Sequence, residues 1–325
     1  MVNVNSTPIL LDVTLRDGGY FNDHRWTTHE AASIVRAVGA AGVPYAEIGY
    51  LRRTHDPGRP TASCPPAYLD ALATVAERPK LAVMARPAEA PIERIAELPD
   101  RGVAMVRVLV SGGSVEAAEP YVAAARAAGL DVAMNLTRVS ERDPEGIAVA
   151  VKACADAGAQ IIYLADSNGS LDPGSVSERV SAAVDASPVP VGFHAHDNLG
   201  LAFINTTTAM AAGATAVDAS IAGIGKGGGN LRLEVIVAHL IVRHGAELRL
   251  DPIAADRTTL ATQLRMIADG GSKTVVSGLL DVNLDGAAHF SDMVAADGLD
   301  ATILTLTGQG RPSAEPTHDS RGADE

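Results

Sequence analysis

The sequence predicts a closed (β/α)8 barrel of the TIM type with a C-terminal helical extension, on three observations. Eight short apolar, β-rich runs recur about 30 residues apart, the size of a strand–helix–strand unit. The segments between many of them are Ala-rich, apolar at three- and four-residue spacing, and often close on Gly or Ala-Gly, a helix-ending signal. Alternation of strand and helix implies parallel pairing, and eight units in about 240 residues suit a closed barrel better than an open doubly wound sheet.

In chain order the strands are expected at Ile9–Val13, Tyr45–Ile48, Leu81–Ala85, Met105–Val110, Asp131–Leu136, Gln160–Ala165, Pro190–His194 and Ala216–Ile221. Helices are expected at Thr28–Ala41, Ser114–Ala128, Asp143–Ala157, Ser175–Ala186 and Leu201–Ala212, with Leu231–His244 after the eighth strand. The rhythm then breaks. Residues 251–307 read as a helical extension with Gly-rich joints such as Asp269-Gly270-Gly271, and 308–325 as a disordered tail of Pro, Gly, Ser and charge. Residues 1–250 form the expected catalytic domain.

Composition narrows the function. Of 325 residues, 47% are hydrophobic and 20% charged, an ordinary globular balance. Lys+Arg at 26 against Asp+Glu at 39 gives −13, which opposes binding to nucleic acid or anionic lipid. No run approaches the length of a membrane span, and Met1–Ser6 lacks the features of a signal peptide, so a cytoplasmic protein is expected. Cys64 and Cys154 lie far apart and offer neither a disulfide framework nor a thiolate zinc site.

In such a barrel, chemistry belongs at the C-terminal ends of the strands. After the first strand comes Thr14-Leu15-Arg16-Asp17-Gly18-Gly19-Tyr20, where Arg16 and Asp17 could be a structural ion pair or part of a site. The second strand carries Glu47, a carboxylate that would be costly in an apolar run unless paired, and a barrel interior could place it against Arg16. The seventh strand ends His194-Ala195-His196-Asp197-Asn198. With side chains alternating by two, both histidines point the same way, as two ligands of one metal must, and Asp17 supplies a third. After the eighth strand, Gly223–Gly229 formally contains a G-x-G-x-x-G. That motif belongs in the first unit of a dinucleotide fold, so a loop closing over the barrel mouth is the better reading. Asn230 could cap the next helix or approach the metal.

Arg16, Arg52, Arg53, Arg86, Arg107 and Arg138 fall on or just after expected strands, which implies an anionic substrate for two or three of them besides Arg16. The long connection Tyr50–Pro66 is a candidate lid. The lysines are Lys80, Lys152, Lys226 and Lys273, none in an expected strand on the catalytic side, so Schiff-base chemistry is not expected.

The run Leu11–Gly19, Glu47, His194–Asn198 and the Gly223–Asn230 loop together resemble the metal-dependent lyase superfamily of TIM barrels, the one that holds 4-hydroxy-2-oxovalerate aldolase, 3-hydroxy-3-methylglutaryl-CoA lyase and isopropylmalate synthase. The resemblance covers roughly residues 8–245. It implies that Asp17, His194 and His196 bind a divalent metal, Mn²⁺ or Mg²⁺ ahead of Zn²⁺ or Co²⁺, with Asn230 matching a further ligand of some members. It implies that Arg16 stabilises an enolate oxygen and that Glu47 holds Arg16. Ala165–Gly169 is nearest to the aldolase branch. Gly19-Tyr20 departs from the Glu-Gln of the synthases, and the Gly-rich loop lacks the cysteine of the CoA lyases. At Tyr20 the aldolases carry a histidine base. Tyr20 is therefore expected in the site as a base of depressed pKa or a hydrogen-bond donor, with His24 as substitute base.

The expected activity is that of a metal-dependent aldolase acting on a small anionic 2-oxo acid and releasing or using pyruvate, in a homo-oligomer, with no aldehyde dehydrogenase partner assumed. The alternatives are a Claisen condensation of an acyl-CoA with a 2-oxo acid, and a non-catalytic barrel subunit. The second is opposed by Arg16, Asp17, Glu47, His194 and His196 standing in one chain.

Overall fold

The computed structural model describes residues 7–75, 78–111, 115–253, 277, 280–283, 286–298, 301–302 and 305–306. Eight parallel strands, β1 (Ile9–Asp12), β2 (Tyr45–Leu51), β3 (Lys80–Ala85), β4 (Val103–Val110), β5 (Asp131–Leu136), β6 (Ile161–Asp166), β7 (Val191–Ala195) and β8 (Ala216–Ala219), pair in chain order and close where β1 meets β8.

Around them lie α1 (Thr28–Ala40), α2 (Pro60–Ser63), α3 (Pro66–Ala73), α4 (Glu119–Ala127), α5 (Pro144–Asp156), α6 (Pro173–Ala186), α7 (Ala202–Ala211) and α8 (Leu233–His244). Their starts are written locally. Thr27 and Glu30 form a capping box on α1, while Asp143 and Asp172 cap α5 and α6 ahead of Pro144 and Pro173, whose missing N–H groups cost nothing there. Between β3 and β4 the connection is two 3-10 turns, Ile92–Glu97 and Pro99–Arg101, rather than a helix.

Period-two alternation sorts the strand residues. Leu10, Ala46, Val83, Val106, Met134, Leu164, Phe193 and Val217 join the large core between barrel and helices. Leu11, Ala82, Met105, Ala133, Tyr163 and Ala216 fill the barrel's inside. Above that apolar plug the same inward positions become polar, at Glu47, Arg107, Asn135, His194 and Asp218, all buried. The floor of the site is thus a buried ionic layer.

Beyond the barrel the described residues hold a helix at Ala287–Asp297 and a short segment, 280–283, lying on the loops after β5 and β6. Asp281 accepts from Ser140 Oγ at 2.9 Å, Asn168 Nδ2 at 2.7 Å and Ser170 Oγ at 2.5 Å. The Asp269–Gly271 joint and the 308–325 tail lie outside the described residues. Among the described residues no helix is long and apolar enough to cross a membrane.

Candidate active site

The turn after β1 delivers Arg16 and Asp17 to the barrel mouth, and β7 with its first following residues delivers His194 and His196. One donor atom from each of Asp17, His194 and His196 lies within 4.8 Å of the others, and all three residues are buried. His194 Nδ1 lies 3.0 Å from Asp218 Oδ2. His196 Nδ1 lies 3.1 Å from the carbonyl oxygens of both Lys226 and Gly229, which can only accept. Both imidazoles therefore carry their proton on Nδ1, and their Nε2 lone pairs converge at 3.4 Å beside the Asp17 carboxylate. With neutral rings this is a set of acceptors, the arrangement a divalent cation needs. The residues fit a metal.

Asn230 belongs to this centre rather than to a helix cap. The residue preceding α8 is Arg232, while Asn230 Nδ2 donates to Asp17 Oδ2 at 2.9 Å and to the Ile224 carbonyl at 3.0 Å. Its Oδ1 is buried without a partner. Glycine is required at 225, since a Cβ there would stand 2.8 Å from Asp17 Oδ2 and closer still to Asn230.

Arg16 is held twice, with Nε on Glu47 Oε2 at 2.7 Å and one Nη on Asp17 Oδ1 at 2.6 Å. Burial would raise the Asp17 carboxyl, but Arg16, His196 and His194 outweigh it and hold it well below the ordinary carboxylate range. The pair is not an isolated surface bridge. Glu47 Oε2 also accepts from Arg107 at 2.9 Å, and the other end of that guanidinium reaches Asp218 Oδ2 at 2.7 Å. Despite burial, Arg107 and then His194 keep the Asp218 carboxyl below its usual value.

Arg107 is therefore not a substrate-facing arginine as its strand position suggested: it is 0% exposed, stacked 4.2 Å from the Tyr163 ring. Arg52 and Arg53 pair with Glu89 and Glu93 on the outside. Arg86 and Arg138 do line the site, in a cavity of about 130 Å³ that Arg16, Tyr20 and Asn283 also wall. Lys226 lines it too, from the loop after β8, so the chain does present a lysine to the cavity although from no strand.

The structure separates the two residues offered as base. Tyr20 lines the cavity, with its hydroxyl 3.2 Å from that of Tyr50 and accepting from Arg86 at 3.1 Å. Burial and the neighbouring Tyr50 push its phenol up, against Arg86, the opposite of a depressed pKa, which leaves the donor role. His24 stands behind it, edge-on to the Tyr20 ring at 4.9 Å and bonded through Nδ1 to Thr61 Oγ1 at 3.1 Å. Burial, with help from Arg16 and Arg52, lowers its pKa to about 4. Thr61 is itself buried in the Tyr50–Pro66 connection, whose 60–64 stretch packs down here while 53–55 and 57–58 stand exposed.

Sequence reasoning missed Asp218, Tyr50, Asp281 and Asn283. Asp218 had a signal, a carboxylate inside the apolar run Ala216–Ile221, the same logic that singled out Glu47. The rest had none.

A family model described as HMGL-like matches residues 7–268. An oxaloacetate decarboxylase of Mycobacterium tuberculosis is 35% identical over 257 residues, 78% of this chain and 76% of that protein. A 4-hydroxy-2-oxovalerate aldolase of Geobacillus genomosp. 3 is 34% identical over 250 residues, 74% and 72% of the two chains. Among solved structures, the N-terminal domain of a Bacteroides vulgatus protein named as an aldolase superposes with a TM-score of 0.77 at 25% identity, covering 88% of this chain and 99% of its own. The carboxyl transferase domain of Rhizobium etli pyruvate carboxylase, at 19% identity and TM-score 0.73, shares the fold over 92% of this chain and 54% of that one.

Proposed function

The chain belongs to the HMGL-like family, and from that premise we propose that it is a divalent-metal-dependent carbon–carbon lyase, an aldolase that cleaves or forms a 4-hydroxy-2-oxo acid through the enolate of pyruvate, with Mn²⁺ or Mg²⁺ as its metal. The observation that carries the reading is the acceptor-only cluster of Asp17, His194 and His196 with Arg16 fixed beside it. When bound there, the cation supplies Lewis-acid polarisation of the substrate's oxo and carboxylate oxygens.

Arg16 has Nε and one Nη committed to Glu47 and Asp17, which leaves its other Nη for the C2 oxygen as negative charge collects on it. In the cleavage direction the 4-hydroxyl loses its proton, the C3–C4 electron pair moves into the C2–C3 bond, and an aldehyde departs. The pyruvate enolate is then protonated at C3. Tyr20 is the cavity-facing donor for the C4 oxygen, and Asn230 would join the metal's ligands through Oδ1. His24 has the protonation state of a base at neutral pH, so His24→Gln tests it as the proton acceptor while Tyr20→Phe tests the donor role.

The oxaloacetate decarboxylase relative supports a second reading at the same residues. Loss of CO2 from oxaloacetate leaves the same enolate and needs no base. Both cysteines are free and buried, in keeping with a reducing cytoplasm.

The test is exchange of the methyl protons of pyruvate for deuterium, followed by NMR. Exchange is expected with Mn²⁺ or Mg²⁺, its loss on chelation and its return on readdition. Absence of exchange, together with release of free thiol from acetyl-CoA and a 2-oxo acid, would replace the aldolase by a Claisen condensing enzyme.

A further inference from the structure

The closed strand order gives the barrel mouth two sides. Asp17 and Arg16 follow β1, and His194 and His196 come from β7 and its end, so the metal-ligating cluster occupies the β7–β8–β1 side. Arg86 follows β3 directly and Arg138 follows β5, on the opposite side of the same cavity.

Neither of these two arginines is spent on a close carboxylate. Arg86 stands 3.6 Å from Glu89, which is already bonded to Arg52 at 3.0 Å, and Arg138 stands 3.9 Å from Glu141. The pairs of Arg16 are 2.6 and 2.7 Å by comparison. Arg86 gives one terminal nitrogen to two neutral hydroxyls, Tyr20 at 3.1 Å and Tyr50 at 3.4 Å, while its Nε is buried without a partner. Arg138 is held at φ 57°, in the left-handed region that a side-chain-bearing residue occupies at a cost, and its N–H is tied to Ser167 Oγ at 3.0 Å. The chain thus keeps two guanidiniums facing a cavity whose lining holds three arginines and Lys226 against one carboxylate, Asp17. A monocarboxylic 2-oxo acid answers the Arg16 end only.

Resting on the aldolase reading above, we propose that the substrate is a 4-hydroxy-2-oxo dicarboxylic acid whose distal carboxylate is held by Arg86 and Arg138. The chemistry puts that group at C5. A carboxylate at C4, as in oxaloacetate, leaves as neutral CO2, so an arginine pair would stabilise the starting state more than the transition state. One at C5 keeps its charge throughout: the 4-hydroxyl proton goes to the base, the C3–C4 pair passes to the pyruvate enolate, C3 takes up a proton, and the departing aldehyde carries the carboxylate away. Guanidinium forks suit this bidentate task and reject a methyl group in its place.

The experiment compares kcat/KM of the Mn²⁺-loaded protein for 4-hydroxy-2-oxoglutarate and for 4-hydroxy-2-oxopentanoate, in which a methyl replaces the distal carboxylate, beside the pyruvate exchange assay. The dicarboxylate should be preferred on the order of 10²-fold, because the monocarboxylate leaves charged donors unanswered. Arg86→Met and Arg138→Met should each shrink that preference at least tenfold, with Arg86→Lys in between. The preference is a ratio measured on one protein sample, so it does not depend on the fraction folded. Pyruvate exchange with equal or better cleavage of the monocarboxylate overturns the dicarboxylate proposal and leaves the aldolase standing. A preference unmoved in both methionine variants overturns the assignment to these arginines. Absence of exchange and of cleavage with either compound overturns both.

Discussion

In the proposed reaction Arg16 can act only while both of its anchors hold its plane, because a guanidinium that can swing offers no fixed charge to a forming oxyanion. Arg16→Lys keeps the charge but cannot bond Glu47 and Asp17 in the same fork. Turnover should fall on the order of 10²-fold or more with metal content retained, checked by steady-state kinetics and metal analysis. His24 makes a different prediction. With a folded pKa of about 4 against about 6.5 in the unfolded chain, the native state binds fewer protons than the unfolded one between those values. His24 therefore contributes stability that rises with pH through that window and is complete above it. Urea midpoints at several pH values should show the wild type losing more on acidification from pH 6.5 to 4 than His24→Gln does. Asp218 would act on the proposed metal through His194, whose Nδ1 lies 3.0 Å from its Oδ2. Asp218→Asn should weaken Mn²⁺ binding by about 10- to 100-fold, read by titration calorimetry.

Each strand of the barrel writes its face assignment in the sequence, which is why all eight were legible. Inward Leu11, Ala82, Met105 and Ala133 alternate with outward Leu10, Val83, Val106 and Val132. Ends were less legible: β4 begins at Val103 rather than Met105, and α4 at Glu119 rather than Ser114, because an end is decided by a neighbour's pairing or packing more than by its own residues. That His194 and His196 face the same way could be read because they stand two residues apart at the end of β7, and that spacing alone sets their common direction. The Arg107 network could not. Whether β4 places its arginine against β2 and β8 depends on barrel closure and register, and no local period carries those. That network defines a test at this scale. Arg107→Met leaves two buried carboxylates to share what remains, and stability should fall by about 3–5 kcal/mol in urea titration, far beyond an ordinary surface change.

At the scale of the molecule, the site is assembled from pieces that the chain order scatters: the turn after β1, the ends of β7 and β8, and the 280–283 segment, whose Asn283 walls the cavity and whose Asp281 is tied to three loop side chains. Nothing in the periodicity of the extension announced that contact, since docking through the side-chain hydrogen bonds of Asp281 and Asn283 leaves no apolar pattern. A cation held as proposed by Asp17, His194 and His196 would join the turn after β1 to the end of β7, so removing it should loosen the whole barrel. At a free Mn²⁺ concentration of about 100 times Kd, binding contributes about 2.7 kcal/mol, so chelation should lower Tm by several degrees and readdition restore it. The buried ionic layer also sets how this protein can change over generations. Arg107 bridges Glu47 and Asp218, all three at 0–1% exposure, so replacing the arginine leaves two buried carboxylates without it, and replacing either carboxylate leaves a buried guanidinium with one partner instead of two. Single-step change at these three positions should therefore be costly although none of them lines the cavity. In a saturation library they should behave like lethal positions, and the surviving diversity of the family's barrel floor should be confined to the apolar plug beneath them.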